Sequence, residues 1–308
     1  GAARKAADQP ILDKEVTSEL GGVSPTIVLP GPWSDADLAF HAQHVATQRL
    51  HNNGYNCIAA QVVVISSQWA QREQFLAELR KAVDAAPART AYYPGSDDRV
   101  AAADRSYPDA QHLGSRGARV LVVNPADRTA LVRTEYFGPV LGVIEIDADG
   151  REFADEAARL VNDEFIGTLG INLIAHPVTL KESGAGFDDY LAGLRYGTIA
   201  VNAWTAVGYL TPTATWGAFP GHLRNDIQSG TGVVHNAFLI DRPERTVVRG
   251  PFWPAPRSVL HGDPSLTPKP PWFVNNRTAA TTGRLLVDFA GAPSWAKLPR
   301  IFASALRG

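Results

Sequence analysis

Short apolar runs alternate with longer amphipathic segments in the first third of the chain. Residues 25–30 (PTIVLP) and 59–66 (AAQVVVIS) predict two buried strands. Residues 34–51 lie between them and place apolar side chains at helical spacing behind Ser34, a good N-cap residue, so they predict a helix. A second amphipathic helix is predicted over residues 71–86.

The same alternation continues through the middle of the chain. Strands are predicted over residues 119–124, 140–146 and 197–203, and helices over residues 152–163 and 187–195. Repeated strand–helix units are typical of α/β proteins with parallel strands. The sequence therefore predicts an α/β fold with a mostly parallel sheet and flanking helices, followed by a C-terminal extended arm and helix.

The pattern changes from about Pro243, where prolines become frequent and periodicity is lost, which predicts an extended arm. The last residues again show helical spacing of apolar side chains, namely Trp295, Leu298, Phe302 and Ala305. Two interpretations remain open: a helix docked on the body or on another subunit, and a helix lying on a membrane surface. Pro299 interrupts this short segment, which favours the docked helix.

Composition narrows the functional classes. The 308 residues are 45% hydrophobic and 19% charged, with a formal net charge of −2, so no strong field would gather nucleic acid or anionic lipid. No apolar run approaches the roughly 20 residues that span a bilayer. A single cysteine excludes internal disulfides and multi-cysteine zinc sites and favours a reducing cytoplasm. The chain has no methionine and no signal-peptide pattern at its start, so we expect a processed or truncated protein.

The single cysteine, Cys57, follows the polar run Asn-Asn-Gly-Tyr-Asn and precedes an apolar strand. A free cysteine is often only a small buried apolar residue, and that interpretation stays open. The polar run cannot extend the preceding helix, so Cys57 is predicted on a loop between helix and strand. Such loops place groups at the working edge of an α/β sheet, where backbone N–H groups can surround a nucleophilic thiol.

Two carboxylates stand in similarly suggestive contexts. Glu19 precedes a Gly-Gly pair, which permits a tight turn and close approach of another group. Glu135 is followed by Phe137 on a turn into a strand, an arrangement that suits a ribose diol and a flat heterocycle. The alternatives are an exposed acid at a turn for Glu19 and an ordinary core ring for Phe137.

These segments together resemble the aldehyde dehydrogenase superfamily. The matching patterns occur in order: Glu-Leu-Gly-Gly at 19–22, Asn-Gly-x-x-Cys at 53–57, Glu-x-Phe-Gly-Pro-Val at 135–140 and Gly-Thr-x-x-x-Asn at 197–202. The resemblance implies that Cys57 is the nucleophile, with its backbone N–H in an oxyanion hole, and that Glu19 is the general base. It implies cofactor contacts at Glu135, Phe137 and Leu20, with NAD or NADP as cofactor and no metal.

The function implied by the resemblance is oxidation of a small-molecule aldehyde to a carboxylic acid through a cysteine thiohemiacetal and thioester. Two alternatives stay open: a relative that transfers the acyl group to coenzyme A, and a non-catalytic scaffold with the same fold. Residues 1–22 would end the nucleotide-binding domain, 23–240 form the catalytic domain, and 241–308 form the oligomerisation strand, Pro-rich arm and terminal helix. Most of the nucleotide-binding half would lie upstream, so the isolated chain is expected to be inactive as a dehydrogenase. A homo-oligomer is expected, with residues 245–250 in the oligomerisation strand.

The sequence departs from the family pattern in three places. Tyr55 stands two residues before the cysteine, where glutamine is usual. Residues 214–221 (ATWGAFPG) replace a Pro-Phe-Gly-Gly motif, and the arm after about residue 250 exceeds the usual family ending. The aromatic-rich residues 203–219 are predicted to line the mouth of the substrate pocket or to serve as core.

Overall fold

A single large sheet lies between two hydrophobic cores in the computed structural model, which describes residues 1–12, 14–235 and 239–308. The strands are β1 (Ser18–Glu19), β2 (Ser24–Val28), β3 (Ala60–Ser66), β4 (Gln111–Leu113), β5 (Arg119–Val123), β6 (Val140–Ile146), β7 (Gly170–Ile174), β8 (Thr198–Val201), β9 (Trp216–Gly217), β10 (Gly230–Thr231), β11 (Val233–Val234) and β12 (Thr246–Arg249). The helices are α1 (Ala2–Ala6), α2 (Asp35–Leu50), α3 (Arg72–Ala85), α4 (Ser96–Ser106), α5 (Thr129–Arg133), α6 (Gly150–Asp163), α7 (Pro177–Ser183), α8 (Gly186–Gly193), α9 (Ala206–Tyr209), α10 (Arg257–Leu260), α11 (Ala279–Gly291) and α12 (Leu298–Ala305).

The large sheet has eight strands in the order β12-β8-β7-β2-β3-β6-β5-β4. Every neighbouring pair is parallel except β4 and β5, which are antiparallel at one edge. Two short antiparallel pairs, β1 with β10 and β9 with β11, lie outside this sheet. The predicted α/β class with a mostly parallel sheet is therefore confirmed.

Side-chain alternation along the central strands builds a hydrophobic core on each face of the sheet. In β3, Val62 and Val64 pack into one core while Val63 and Ile65 pack into the other, and all four are fully buried. Helices α2 and α3 cover the second face, and α6 and α8 cover the first. This two-sided burial explains why the central strands appear in the sequence as continuous apolar runs.

The start of α2 is set by the residue that the sequence indicates. Ser34 accepts a hydrogen bond from the backbone N–H of Asp37, and the Asp37 carboxylate accepts one from the backbone N–H of Ser34. The other predicted strands and helices of the first 240 residues are also present, with ends shifted by a few residues. The sequence did not predict β7, which carries an apolar run, or the weakly patterned α4 and α7. It also did not predict the short elements α1, β1, β4, α5, α9, β9, β10 and β11.

The C-terminal region differs from the prediction. The predicted strand over 245–250 exists as β12, and it pairs in parallel with β8 within this chain's own sheet. The Pro-rich stretch is not extended throughout, because it contains α10 and leads into α11. Helix α11 has a single fully buried side chain, Thr282, so burial periodicity gave no signal for it.

Helix α12 packs against α11, the preceding helix of the C-terminal region. The Thr278 hydroxyl donates to the backbone carbonyl of Ser304 at 2.9 Å, and the hydroxyls of Thr282 and Ser304 are also 2.9 Å apart. The predicted contact face is partly wrong, since Trp295 is 87% exposed and Phe302 is 45% exposed. Among the described residues, no helix is long and apolar enough to cross a membrane.

Candidate functional site

The residues singled out from the sequence converge at the amino ends of three neighbouring strands. Glu19 lies just before β2, Cys57 before β3 and Glu135 before β6, and these strands are adjacent in the sheet. Ligands of open α/β sheets usually bind at the carboxyl ends of the strands. A loop that runs from a helix into a strand lies at the amino edge instead. The prediction that Cys57 lies at the edge where such sheets usually bind ligands was therefore wrong.

Aromatic side chains close the carboxyl edge on the face covered by α2. The Trp33 ring lies 5.0 Å from the Trp69 ring and 5.4 Å from the Phe252 ring. The fully buried His41 packs against Phe252, and burial lowers the pKa of this histidine well below its ordinary value. This part of the carboxyl edge is therefore packed core.

The loop before Cys57 has a conformation that few residues tolerate. Asn52 and Asn53 adopt φ values of 52° and 56°, and Gly54 follows at 85°. A Cβ on Gly54 would lie 2.5 Å from the backbone carbonyl oxygen of Gly138. The Asn-Asn-Gly run therefore lets this loop pack closely on the turn that carries Glu135.

Arg49 joins that loop to the turn, and the sequence analysis missed it. It is 2% exposed, and its Nε donates to the Gly138 carbonyl at 2.7 Å, with a second donation from Nη2 to the same oxygen. Its Nη1 donates to the Ala59 carbonyl at 3.1 Å. Burial lowers the pKa of Arg49 to about 10, while the nearby Glu135 carboxylate opposes this shift. The only sequence signal was an arginine on the buried side of α2.

Glu19 is held beside the thiol by two contacts. Its backbone belongs to β1, where Glu19 faces Gly230 of β10. Its Oε1 accepts a hydrogen bond from the indole Nε1 of Trp216 at 3.1 Å, and Trp216 is 1% exposed. The carboxylate is thus directed toward Cys57 by a rigid donor.

The half-buried Cys57 thiol is strongly biased toward its protonated form. Burial raises the pKa of Cys57 to about 12, and Glu19 contributes through its charge and by accepting a hydrogen bond from the thiol. The charge of Glu135 acts in the same direction. The resting group is therefore a thiol with a carboxylate next to it that can accept its proton.

The Gly-Gly pair after Glu19 makes room for the second carboxylate. A Cβ on Gly21 would collide with Oε1 of Glu135. Glu135 also accepts a hydrogen bond from the backbone N–H of Gly22. Burial raises the pKa of Glu135 to about 7, although the charges of Arg49 and Arg99 oppose the shift. The Gly-Gly pair therefore permits the Glu135 side chain to approach this turn closely.

The turn after Glu135 places Phe137 in an unusual backbone conformation, with φ at 43°. Gln61 stabilises this turn, because its Nε2 donates to the carbonyls of Leu131 and Thr134 at 2.8 and 2.7 Å. Its Oε1 accepts from the backbone N–H of Tyr136 at 2.9 Å. The strained Phe137 backbone is thus fixed by a buried amide on β3.

Tyr55 is accommodated in an aromatic cluster, which we define as Tyr55, Tyr93 and Phe137. The Tyr55 ring stacks on Tyr93 at 5.6 Å and lies 5.9 Å from the Phe137 ring. Its hydroxyl forms a hydrogen bond with the Ser96 hydroxyl. Arg99 lies over the rings of Tyr93 and Phe137, and its buried Nη1 has no hydrogen-bond partner among the described residues. Arg99 was also missed, because α4 was not predicted.

Leu20 stands at the surface of this region. Its side chain is 48% exposed, and its backbone N–H donates to the Ser229 carbonyl at 2.9 Å. The Ser229 hydroxyl donates to the Gly21 carbonyl at 2.8 Å and accepts from the backbone N–H of Thr168 at 2.8 Å. The segment that carries Glu19 and Leu20 is therefore fixed against the loop before β7.

A second apolar cluster, which we call the tryptophan cluster, consists of Ile58, Leu169, Trp204 and Trp216. Cys57 packs against it, and so does Trp272 of the Pro-rich arm. Two rings from the predicted aromatic-rich segment 203–219 thus line the cysteine region as buried walls. Of the other two rings, Tyr209 lies 5.3 Å from the Trp216 ring but is 51% exposed, and Phe219 lies under Arg245.

The fourth family-like pattern, residues 197–202, acts at the opposite edge. Asn202 follows β8, and its side chain exchanges two hydrogen bonds with the backbone of Ala175, at 2.9 and 3.0 Å. This amide joins the carboxyl ends of β7 and β8. Its place in the pattern has a structural explanation.

Comparison with known proteins identifies related sequences. A profile of the aldehyde dehydrogenase family matches residues 2–97. The chain is 29% identical over 161 residues to coniferyl aldehyde dehydrogenase from Pseudomonas sp. (strain HR199 / DSM 7063), which covers 46% of this chain and 32% of that protein. It is 30% identical over 176 residues to probable coniferyl aldehyde dehydrogenase from Caulobacter vibrioides (strain ATCC 19089 / CIP 103742 / CB 15), which covers 48% of this chain and 33% of that protein. The chain spans about a third of the length of these curated relatives.

Solved structures share the fold. Gamma-glutamyl-gamma-aminobutyraldehyde dehydrogenase from Burkholderia cenocepacia J2315 aligns with a TM-score of 0.56 and 25% identity, covering 75% of this chain and 45% of that chain. NADP-dependent glyceraldehyde-3-phosphate dehydrogenase from Bacillus halodurans C-125, solved with NADP, aligns with a TM-score of 0.58 and 20% identity, covering 76% of this chain and 47% of that chain. At 20% identity, the second comparison shows only that the two chains share a fold.

Proposed function

We propose that the chain is the catalytic-domain portion of an aldehyde dehydrogenase, which its sequence and structural similarities support. On this premise, Cys57 performs the chemistry of an NAD(P)-dependent oxidation of an aldehyde to a carboxylic acid. The observation that carries the proposal is the pairing of Cys57 with Glu19. The carboxylate accepts a hydrogen bond from the thiol, and the indole of Trp216 holds that carboxylate at 3.1 Å.

In the first step, the sulfur of Cys57 bonds to the aldehyde carbon as the thiol proton leaves to the Glu19 carboxylate. The carbonyl π electrons move onto oxygen, and the backbone N–H of Cys57 stabilises the resulting oxyanion. Because burial raises the pKa of the thiol to about 12, a free thiolate is scarce at neutral pH and removal of the proton during attack is needed.

The residues around Glu135 fit a nicotinamide nucleoside. Glu135 offers a carboxylate for a ribose diol, Phe137 offers a flat ring, and Arg99 offers a buried Nη1 without a partner among the described residues. Leu20 adds an exposed apolar side chain next to Glu19 in the chain. The bound nicotinamide would accept the hydride, whether as NAD or NADP.

Before the second step, the Glu19 carboxyl releases the thiol proton to solvent. Glu19 then removes a proton from water, whose oxygen bonds to the thioester carbon of the acylated Cys57. The C–S bond breaks, the sulfur takes the proton from Glu19, and the carboxylic acid leaves. The hydrogen bond from Trp216 orients Glu19 for this task and lowers its freedom to swing away. Glu19 beside the sulfur favours water over coenzyme A as the acyl acceptor.

Product analysis of the protein in its full natural length tests this proposal. Aldehyde with NAD⁺ or NADP⁺ should give one carboxylic acid per reduced cofactor, and Cys57→Ser should abolish it. Formation of an acyl-coenzyme A in preference to acid would establish the acyl-transferring alternative. Undiminished turnover by Cys57→Ser would refute the assignment, whereas an intact parent protein that neither forms a thiohemiacetal nor oxidises aldehydes would establish the scaffold alternative.

We also propose domain boundaries at 22/23 and 240/241, a homo-oligomer and a cytoplasmic location. The structure adds one consideration to the domain boundary, because β12 pairs with β8 across it. We therefore propose that the catalytic unit includes β12 and that the arm begins after Arg249. The outer edge of β12 is the surface on which a second copy would pair.

A further inference from the structure

The Pro-rich arm follows α2 along its length. Near the start of the helix, the indole Nε1 of Trp253 donates to Oδ1 of Asp37 at 2.9 Å. Near its end, the backbone N–H of Val274 donates to Oγ1 of Thr47 at 3.1 Å, and the Phe273 ring stacks on His44 at 5.2 Å. The end of α2 leads into the Cys57 loop. Trp272, which precedes Phe273 in the arm, therefore lies at the edge of the sheet that carries Cys57.

Three tryptophans meet there, and their indole N–H groups differ in one respect. The Nε1 of Trp204 donates to the carbonyl of Ile58 at 3.2 Å, and the Nε1 of Trp216 donates to Glu19 at 3.1 Å. The Nε1 of Trp272 is buried and has no hydrogen-bond partner among the described residues. A buried donor without a partner destabilises the folded state, so such a group calls for an acceptor.

We propose that Trp272 is a specificity-determining residue of the aldehyde site, whose ring forms a wall beside the tryptophan cluster and whose N–H donates to an oxygen on the substrate. This inference rests on the proposed function of Cys57. The substrate class is an aromatic aldehyde that carries a hydroxyl or alkoxy oxygen on its ring.

The chemistry of the lining supports this class. An indole N–H can only donate, so the group that it meets must be an acceptor. The remaining surface against which Cys57 and Trp272 pack is apolar and flat-sided, formed by Ile58, Leu169 and the rings of Trp204 and Trp216. A planar ring stacks well on such surfaces, whereas a charged or sugar-like aldehyde would leave its polar groups unpaired.

Reversible thiohemiacetal formation provides an assay that needs no cofactor. The thiol adds across the aldehyde C=O, with the C–S bond formed and the proton transferred to oxygen, and this protects Cys57 from iodoacetamide. Protection at pH 9 is measured with 3- and 4-methoxybenzaldehyde and with the matched 3- and 4-ethylbenzaldehydes, which replace the oxygen by CH₂. The parent protein, Trp272→Phe and the exposed control Trp295→Phe are compared, with folding checked by circular dichroism.

We expect the methoxy/ethyl ratio of affinities, at one ring position at least, to fall by roughly 3- to 10-fold in Trp272→Phe, the loss of one neutral hydrogen bond, and to stay unchanged in Trp295→Phe. Intrinsic aldehyde reactivity contributes equally to the ratios of parent and variant, so it cancels when the two ratios are compared. If Trp272→Phe misfolds, the parent alone decides, because its methoxy/ethyl ratio should exceed that of a small thiol in water. An unchanged ratio in folded Trp272→Phe overturns the role of Trp272, whereas no protection of the parent by any aldehyde overturns the proposed function together with this inference.

Discussion

Trp216 donates its indole N–H to Glu19 at 3.1 Å, and this bond fixes the carboxylate that accepts a hydrogen bond from the Cys57 thiol. Both partners come from short strands outside the main sheet, β9 and β1. The Glu19 carboxylate is thus positioned by a fully buried ring rather than by a flexible polar side chain. Glu19 therefore has two effects that can be tested separately: its charge raises the pKa of the thiol, and its carboxylate can accept a proton.

The pH dependence of Cys57 alkylation tests the first effect. With the pKa of Cys57 raised to about 12, the thiolate fraction should increase about tenfold per pH unit from pH 7 to 10. The iodoacetamide rate should follow this slope without a plateau, whereas an exposed cysteine levels off near its ordinary pKa of about 8.5. A plateau of the iodoacetamide rate below pH 9 in the folded protein would contradict the raised pKa of Cys57.

Glu19→Gln should change two rates in opposite directions. Removing the charge lowers the pKa of Cys57, so alkylation at pH 8 should become faster by on the order of 10-fold. Loss of the general base should slow hydrolysis of an acyl group on Cys57 by about 10²- to 10⁴-fold, seen as a burst and a slow second phase with an activated ester. The exposed Glu15→Gln serves as the control. Parallel slowing of both rates in Glu19→Gln would argue for general disruption instead.

Trp216→Phe should affect only the second of these rates. The substitution keeps an apolar ring but removes the donor to Glu19. A hydrogen bond to a charged group contributes about 1.5–3 kcal/mol, so deacylation should slow by roughly 10-fold or more while the acylation burst keeps its full amplitude. Deacylation at the parent rate in Trp216→Phe would show that Glu19 needs no such positioning.

The sequence predicted the central sheet well because its strands carry continuous apolar runs and α2 carries its own capping residue. Cys57, Glu19 and Glu135 were identified by their resemblance to family patterns, and the structure brings them together at one edge of the sheet. It is the amino edge, because each of these residues lies on a segment that enters a strand.

The supporting residues could not be found by pattern. Arg49 acts on Gly138, and Trp272 reaches the cysteine region through the fold of the arm along α2. Such contacts join distant parts of the chain and leave no local periodicity. Helix α11 was missed for a different reason, because its residues are mostly exposed or half-buried.

Gly54→Ala should destabilise the protein more than a matched glycine substitution does. Gly54 has φ of 85°, and its Cβ would meet the Gly138 carbonyl, while Gly95 has φ of 73° with nothing near its Cβ. Strain alone costs on the order of 1 kcal/mol in both variants, and the clash adds to it in Gly54→Ala. Urea unfolding should therefore give a lower midpoint for Gly54→Ala than for Gly95→Ala. Equal midpoints would mean that the Cys57 loop does not depend on contact with the Glu135 turn.

Glu135→Gln should become more stable relative to the parent as the pH rises. Burial raises the pKa of Glu135 from its ordinary 4.5 to about 7, so between these values the folded protein holds a proton that the unfolded chain has lost. The free energy of unfolding of the parent therefore decreases through this interval and levels off above pH 7. Glutamine does not titrate, so the stability difference in favour of the variant should grow by on the order of 2 kcal/mol between pH 4.5 and 8. Urea unfolding at each pH measures it, and the exposed Glu15→Gln should show no such trend. A difference that shrinks with rising pH would mean that the carboxylate is stabilised, with Arg49 and Arg99 outweighing burial.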